Sequence, residues 1–195
     1  MRSFIVLAAA LALAAGSSHA QTTWSLDKSH STVKFTVLHL VIAEVGGRFT
    51  DFDVELTQPK ANDFVGASVT AEIRTASINT DNADRDKHLR SDDFLNAEKY
   101  PAIVFKSSKF EKTGKDAYKI HGDLTIRDVT KPVVLDTRFT GSVKDSRGNT
   151  KAGFKATTTI DRFEYGVQWS KTIESGGMVA GKEIEITLLM ELQKN

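Results

Sequence analysis

Residues 85–105 read RDKHLRSDDFLNAEKYPAIVF, and this stretch decides the fold. It is the only long segment after the N-terminal region that is typical of helix and turn, whereas the sequence on both sides alternates like β-strands. Ser91 is predicted to cap the start of a short helical turn, with Phe94 facing inward. The turn should end before Pro101, because a residue that precedes proline is driven into an extended conformation. We therefore expect a short helical segment around residues 83–97 between two groups of strands.

The position of this segment allows two interpretations. It is either a connection that packs its apolar residues and solvates its charges, or a lid or plug over one end of a β-structure. A lid would control access to an interior. The sequence of the segment leaves both interpretations open.

The first twenty residues are predicted to be a cleaved export signal. Arg2 supplies a basic start, an apolar run of 12 residues follows at positions 4–15, and residues 18–20 form a small-residue cleavage site. A membrane anchor is the alternative, but a bilayer needs about 20 apolar residues. We expect Sec-type cleavage after Ala20, a mature domain of residues 21–195 without a membrane segment, and a location in the periplasm or outside the cell.

The composition of the mature chain excludes several classes of protein. There is no cysteine, so neither a disulfide nor a lipid-modified cysteine is available. Removal of residues 1–20 takes away one basic residue, Arg2, and no acidic residue, so the numbers of basic and acidic residues are then equal. A neutral chain without a basic run predicts no nucleic-acid surface and no polybasic membrane patch. Its length suits one domain with a sizeable core.

Most of the mature chain alternates between apolar and polar residues, which is typical of half-buried strands. The alternating segments cover residues 33–39, 52–56, 69–73, 118–126, 133–139, 154–160 and 184–192. About eight such strands form either a sandwich or a closed barrel. Short turns, and no connection of the Greek-key kind after residue 111, favour an all-β, antiparallel up-and-down barrel. Small inward residues such as Ala71 and Ala156 favour a cavity over a solid core.

No metal or catalytic constellation is evident in this sequence. After residue 20 the histidines are isolated, at His30, His39, His88 and His121, and cysteine is absent, so we predict no metal site. Asp27, His30 and Ser31 could form a catalytic triad on paper, but such close neighbours on an extended chain point apart. We predict a protein that is not an enzyme. The alternative is an enzyme on an apolar substrate with Asp27, His30 or His39 as acid or base.

Three side chains that could carry positive charge fall on otherwise apolar strand faces: His39, Arg48 and Arg162. Each keeps the two-residue phase of its apolar neighbours, and at the end of an inward face it could meet the polar head of a ligand. Each could equally lie at a strand end and reach solvent or a carboxylate. The predicted ligand-binding residues are Phe35, Val37, His39, Arg48, Phe52, Ala71, Phe154, Ala156, Arg162 and Trp169.

Several ordered blocks of the mature chain resemble one known family. They are WSLDKSHSTVKFTVLHL at 24–40, GRFTDFD at 47–53, residues 85–107, GDLTIRDVTKPVVL at 122–135, GFKATTTIDRFEYGVQW at 153–169 and GKEIEITLLMEL at 181–192. Together these blocks resemble the YceI family of secreted bacterial lipid-binding proteins, also called polyisoprenoid-binding proteins. The sequence departs from many members at Leu40–Ala43, where they have glycine and a polar residue.

The resemblance implies a lipocalin-like barrel that holds a long apolar molecule in its interior. Candidate ligands are a polyprenyl phosphate, an isoprenoid quinone and a fatty amide. The implied function is a periplasmic carrier or binding protein that uses no cofactor other than its lipid and acts as a monomer or homodimer. The family motifs describe a fold, so they transfer no catalytic residue to this chain.

Overall fold

The computed structural model describes residues 21–59, 63–172 and 177–195, so the predicted signal peptide at 1–20 lies outside the described residues. The strands are β1 (Thr22–Leu26), β2 (Thr32–His39), β3 (Ala43–Phe49), β4 (Phe52–Gln58), β5 (Ser68–Arg74), β6 (Ile78–Asn79), β7 (Ala102–Lys112), β8 (Ala117–Ile126), β9 (Val129–Lys144), β10 (Thr150–Asp161) and β11 (Ala180–Lys194). One helix, α1, spans Ala83–Arg90, and 3-10 turns occupy Lys28–His30, Thr75–Ser77 and Arg162–Tyr165. None of the described helices has the length and apolarity needed to cross a membrane.

The strands form a closed barrel in which each strand pairs antiparallel with its neighbours in the chain. Three long strands are interrupted by short bends, so that β1 continues into β2, β3 into β4 and β5 into β6. With each of these pairs taken as one strand, the barrel has eight strands in sequential order. It closes where β11 pairs with β1 at Leu192↔Leu26 and with β2 at Ile186↔Phe35. The predicted up-and-down barrel is therefore confirmed.

The alternation of the sequence places one face of each strand inside the barrel. The buried residues include Leu56 on β4, Ile120 on β8 and Leu192 on β11. A glycine is required at one inward contact, because a Cβ on Gly122 would lie 2.5 Å from both the Phe105 ring and the Lys106 carbonyl oxygen. Removal of this apolar surface from water is the main force that stabilises the fold, since the chain has no disulfide.

The helical segment begins at Ala83, within the predicted range of 83–97, but its cap differs from the one that the sequence indicated. Asn82, not Ser91, is the N-cap of α1, and its side-chain oxygen accepts a hydrogen bond from the Arg85 N–H at 3.0 Å. Ser91 instead ends the helix, and its hydroxyl donates to the His88 carbonyl at 2.7 Å. Both residue types bond backbone groups readily, so the rule for a cap does not choose between them. Acidic side chains lie in the first turn of 83–90 and basic ones in the last, which suits the helix dipole.

Candidate functional site

The barrel encloses a cavity of about 440 Å³ with a wall that is almost entirely apolar. Side chains from the strands supply most of the wall, and side chains from residues 85–95 cover one end. The polar members of the wall are few: Lys34, His39, Thr80, Arg85, His88, Thr137, Thr158, Arg162 and Tyr165. Such a space excludes water from the middle of the barrel and suits a long hydrocarbon group.

Nine of the ten residues predicted to bind a ligand lie in the wall of this cavity. They are Phe35, Val37, His39, Phe52, Ala71, Phe154, Ala156, Arg162 and Trp169. The alternation of the strands was sufficient to assign the faces of the seven that lie on strands, whereas Arg162 and Trp169 follow β10 and lie on no strand. Their contact with a ligand stays a prediction.

Arg48 is the exception, because it lies outside the cavity wall. Its guanidinium donates to both carboxylate oxygens of Asp81, at 3.0 Å each, and 43% of its side chain is exposed. The prediction took Arg48 to be in phase with Phe52, but the chain bends between β3 and β4. Phe49 and Phe52 both line the cavity although they are three residues apart. This bend reverses the phase, so Arg48 points outward.

Arg162 lies in the wall but is largely occupied by the protein itself. It is 5% exposed, and its guanidinium donates four hydrogen bonds of 2.8 to 3.0 Å to backbone carbonyls, those of Val167, Trp169, Ala180 and Gly181. Burial lowers the pKa of this guanidinium from its ordinary value. Four of the five guanidinium hydrogens are used in these bonds, and one hydrogen on Nη2 remains. Arg162 therefore mainly holds the chain together and has little capacity left to bind a ligand head.

One end of the barrel is covered by residues 83–100, which we call the lid. Arg85, His88 and Phe94 of the lid line the cavity. The His88 ring meets the rings of Phe94 and Trp169 edge to face at centroid distances of 4.9 and 5.3 Å, and its Nε2 lies 2.9 Å from an oxygen of Asp93. The lid interpretation of this segment therefore agrees with where the segment lies.

Sequence reasoning missed Arg85 and His88 as members of the wall. Residues three apart lie on one side of a helix, so this spacing places both residues on one face of α1. Because Ser91 was taken as the cap, no inward face was assigned to the part of the predicted segment that precedes it.

Arginine side chains fasten the lid to the rest of the barrel through backbone carbonyls. Arg90 donates to the carbonyls of Ala76 at 2.8 Å and Ile78 at 2.7 Å. Arg127, in the turn between β8 and β9, donates to the carbonyls of Phe94 at 3.3 Å and Gly166 at 2.8 Å. The lid is therefore connected to strand ends on both sides of the cavity.

A buried threonine and a buried aspartate add a second connection between α1 and β6. One carboxylate oxygen of Asp86 accepts from both the N–H and the hydroxyl of Thr80, at 2.8 and 2.6 Å. Arg85 in turn donates to the Thr80 hydroxyl and carbonyl oxygens at 2.8 and 2.9 Å. These bonds satisfy polar groups that would be costly to bury alone.

The opposite end of the barrel is filled by residues 63–67, which we call the plug. The Phe64 ring lies 5.0 Å from the Phe154 ring and 5.3 Å from the Phe139 ring, centroid to centroid, and it also contacts Trp24 and Tyr118. Phe64 is 5% exposed and belongs to the main core. This end of the barrel is therefore closed by the same apolar packing that stabilises the fold.

The hairpin between β2 and β3 stands beside the lid and exposes aliphatic side chains. Val41 and Ile42 are 61% and 85% exposed. Leu40 and Val41 have left-handed backbone angles, with φ of 51° and 66°, a conformation that is strained for a β-branched residue. The turn at residues 40–43 therefore places exposed aliphatic side chains at the rim of the barrel next to the cavity.

A charged cluster lies in the wall of the barrel away from the cavity. Lys151 Nζ is 2.6 Å from Asp27 and 3.5 Å from Glu191, and His30 Nδ1 is 3.2 Å from Asp27. The hydrogen bond from Lys151, and then that from His30, lowers the pKa of Asp27 to about 2. The ligand atoms of Asp27, His30 and Glu191 lie within 4.8 Å of one another, but the Lys151 ammonium already pairs with both carboxylates.

The residues considered as acid or base for an enzyme are not brought together. Asp27 and His30 belong to the charged cluster, whereas His39 lines the cavity. Among the described residues of the cavity wall, no pair of carboxylates and no serine stands beside a histidine. The arrangement suits binding of an apolar molecule better than acid–base chemistry on it.

The sequence matches a family model over almost all of the described chain. Residues 24–192 match the model of the YceI-like domain. Among curated proteins, a UPF0312 protein of Vibrio cholerae is 35% identical over 162 residues, which cover 83% of this chain and 85% of that protein. A UPF0312 protein of Staphylococcus aureus is 34% identical over 165 residues, which cover 84% and 93% of the two chains.

Solved structures share the fold. The YCEI protein of Campylobacter jejuni aligns with a TM-score of 0.68 at 32% identity, over 87% of this chain and 96% of that one. BcnA of Burkholderia cenocepacia aligns with a TM-score of 0.74 at 19% identity, over 85% and 98%. A polyisoprenoid binding domain from Saccharophagus degradans aligns with a TM-score of 0.63 at 14% identity, over 88% and 98%. At these two lower identities the likeness concerns the fold alone.

Proposed function

The chain belongs to the family of the YceI-like domain, and from this premise we propose that it is a periplasmic carrier or binding protein for a long-chain isoprenoid or similar lipid. The hydrocarbon part of the ligand lies in the barrel, and its polar head lies at the lid end near His39. The protein holds the lipid without changing it chemically. Export through the predicted signal at residues 1–20 brings it to the periplasm or outside the cell.

The observation that carries this proposal is the apolar cavity of about 440 Å³ inside a closed barrel. Proteins rarely leave so much apolar wall unfilled, since interiors are close-packed and an unfilled space forfeits contact energy. Small residues at Ala71 and Ala156 keep the middle of the barrel open. The polyisoprenoid binding domain from Saccharophagus degradans, which shares this fold, adds support for the class of ligand.

The hydrocarbon tail supplies most of the driving force for binding. Burial contributes about 0.8 kcal/mol for each CH₂ group, so a few isoprene units give a large gross gain. Loss of motion and ordering of the chain offset part of that gain. The few polar groups at the lid end, such as His39 and His88, then select among heads rather than make binding possible.

The direct test is native mass spectrometry of protein purified from its own host, followed by lipid extraction. We expect a bound lipid in the wild type and none in Ala71→Trp, because the indole fills the cavity. Thr70→Trp is the matched control, since Thr70 is exposed on the outer face of the same strand and its variant should keep the lipid. An empty barrel in every wild-type preparation would count against a carrier.

Two finer parts of the proposal have separate tests. Replacement of His39 by alanine should change which head group is recovered while the tail length stays the same, because His39 lies at the rim of the cavity.

The intact mass of protein recovered from the periplasmic fraction should correspond to a chain that begins at Gln21. Recovery of the uncleaved chain from the membrane fraction would contradict the export proposal.

A further inference from the structure

Phe64 separates the main cavity from a second, smaller space at the plug end. The smaller space has a volume of about 240 Å³ and is lined by Trp24, Gln58, Phe64, Phe139 and several polar residues of the strand ends. The wall of the main cavity includes Phe154 but not Phe64. Because the Phe64 ring meets the Phe154 ring at 5.0 Å, these two rings stand between the two spaces, with Phe64 on the side of the smaller one.

The plug is held in place by a hydrogen-bonded chain that starts in the barrel wall. The side chain of Gln58, which is 4% exposed, accepts from the Trp24 indole N–H at 3.0 Å and donates to the Asp63 carbonyl at 3.1 Å. Asp63 accepts from the Val65 N–H at 3.1 Å, and the Ala67 N–H donates to the Phe64 carbonyl at 3.0 Å. Phe64 is therefore presented by a short turn whose position is fixed on both sides.

We infer that the Phe64 plug sets the longest hydrocarbon chain that the barrel accepts in extended form. This inference rests on the proposed function, because it concerns the ligand of the same cavity. A chain that enters past the lid meets the Phe154 ring at the far end of the apolar wall, and the Phe64 ring holds Phe154 in place from behind. Further carbons do not reach the smaller space beyond these rings, so the chain must fold back or stay outside.

The length of the cavity gives the expected limit. On β10, Phe154 meets the plug, and Arg162 follows directly after the strand and lies 6.0 Å from the Phe94 ring of the lid. Eight residues at about 3.3 Å each, on strands tilted by roughly 40°, span about 20 Å along the barrel axis. A C–C bond of about 1.5 Å at an angle near 111° advances about 1.25 Å, so about sixteen bonds fit. Sixteen bonds correspond to about four isoprene units.

The test measures affinity for a series of all-trans polyprenyl alcohols, from two isoprene units to eight, with delipidated full-length mature protein. In the wild type, affinity should rise with each unit up to about four and then stop rising. We call the chain length at which the affinity stops rising the break in the series. Phe64→Ala removes the ring behind Phe154, so Phe154 can turn toward the vacated volume and open a path to the smaller space, and the affinity ratio of the six-unit to the four-unit alcohol should increase at least tenfold. Phe64→Leu should give a smaller increase in the same ratio.

Matched variants keep the result interpretable if Phe64→Ala folds poorly. Phe163→Leu makes the same change at the lid end, in a residue that lines neither space, and should leave the break in the series where it is. Ala156→Phe adds bulk above Phe154 and should move the break to shorter chains. Thermal unfolding identifies the variants that remain folded.

Two results would overturn the inference, and they differ. If the wild type binds these alcohols but the break is unmoved in folded Phe64→Leu and Ala156→Phe, the plug does not set chain length and the carrier proposal stands. If the wild type binds no alcohol of any length while its fold is intact, both the carrier proposal for isoprenoids and the inference fall.

Discussion

The two ends of the barrel are closed in different ways. At the plug end, the Phe64 ring packs among the rings of the main core, and a buried amide fixes its turn. At the lid end, arginine side chains reach across to backbone carbonyls, and Phe94 is the one ring of the His88, Phe94 and Trp169 group that is buried in the core. Opening the plug end would unpack Phe64 from four aromatic rings of the core, whereas opening the lid end would unpack Phe94 and exchange hydrogen bonds to the protein for hydrogen bonds to water. We therefore expect the ligand to pass at the lid end.

The largest loss of stability should come from substitution of Arg162, which lies at the lid end but is buried and hydrogen-bonded to the backbone. Arg162→Leu removes four hydrogen bonds and leaves buried carbonyls unpaired, so it should lower the free energy of unfolding by about 4 kcal/mol. Urea denaturation measures this loss. A loss below about 1 kcal/mol would mean that the Arg162 hydrogen bonds stabilise the fold no more than those of the lid do.

The second effect concerns the plug. Gln58→Leu leaves the Trp24 indole N–H and the Asp63 carbonyl without their partner, which should cost about 2 kcal/mol of stability. The rate of lipid release should stay within twofold of the wild type, because the ligand does not pass this end. Stopped-flow transfer of a fluorescent polyprenol to vesicles measures that rate. A much faster release would indicate that the ligand passes the plug, and would contradict the conclusion that it passes at the lid end.

The third effect concerns the lid. Arg90→Leu removes the two bonds to Ala76 and Ile78 at a half-buried position, so the loss of stability should be only about 1 kcal/mol. Lipid release should nevertheless become several times faster, because the lid separates more often. Amide exchange should rise at residues 83–97 and stay unchanged in β8 and β10. If exchange rises equally throughout the barrel, the lid does not open independently.

The smallest effect comes from the charged cluster, where Lys151 and His30 lower the pKa of Asp27 from 3.8 to about 2. A carboxyl with a depressed pKa in the folded state contributes stability that is fully present above about pH 4 and is lost as the pH falls through about 2. We expect about 1 kcal/mol, since part of the cluster is solvated. Asp27→Asn should lower stability at pH 7 by this amount and flatten its decrease between pH 4 and 2.

The barrel could be predicted from the sequence because its signals are local. Alternation assigns the inner face of each strand, and short turns require neighbouring strands to pair. Arg48 shows where this reasoning ends, because a bend of two residues between β3 and β4 reversed the phase. A pattern of period two contains no information about such a break.

The parts that the sequence did not reveal depend on contacts between distant segments. The partners of Arg162 are backbone carbonyls up to 19 positions away, and backbone groups leave no trace in side-chain patterns. Phe64 lies in a turn without alternation, where a large apolar residue between Asp63 and Gly66 was the only available sign. The Asn82 cap of α1 was missed because Ser91 satisfied the same rule for a cap.

The pairing of β1 with β11 joins the first and last strands of the described chain, and Asn195 donates to Thr23 across 172 positions. Contacts of such long range form late, because the chain must close a very large loop before they bring any gain. Until β11 has arrived, the nascent sheet has two unpaired edges that can recruit other chains. Loss of the last strand should therefore produce aggregates rather than a smaller barrel.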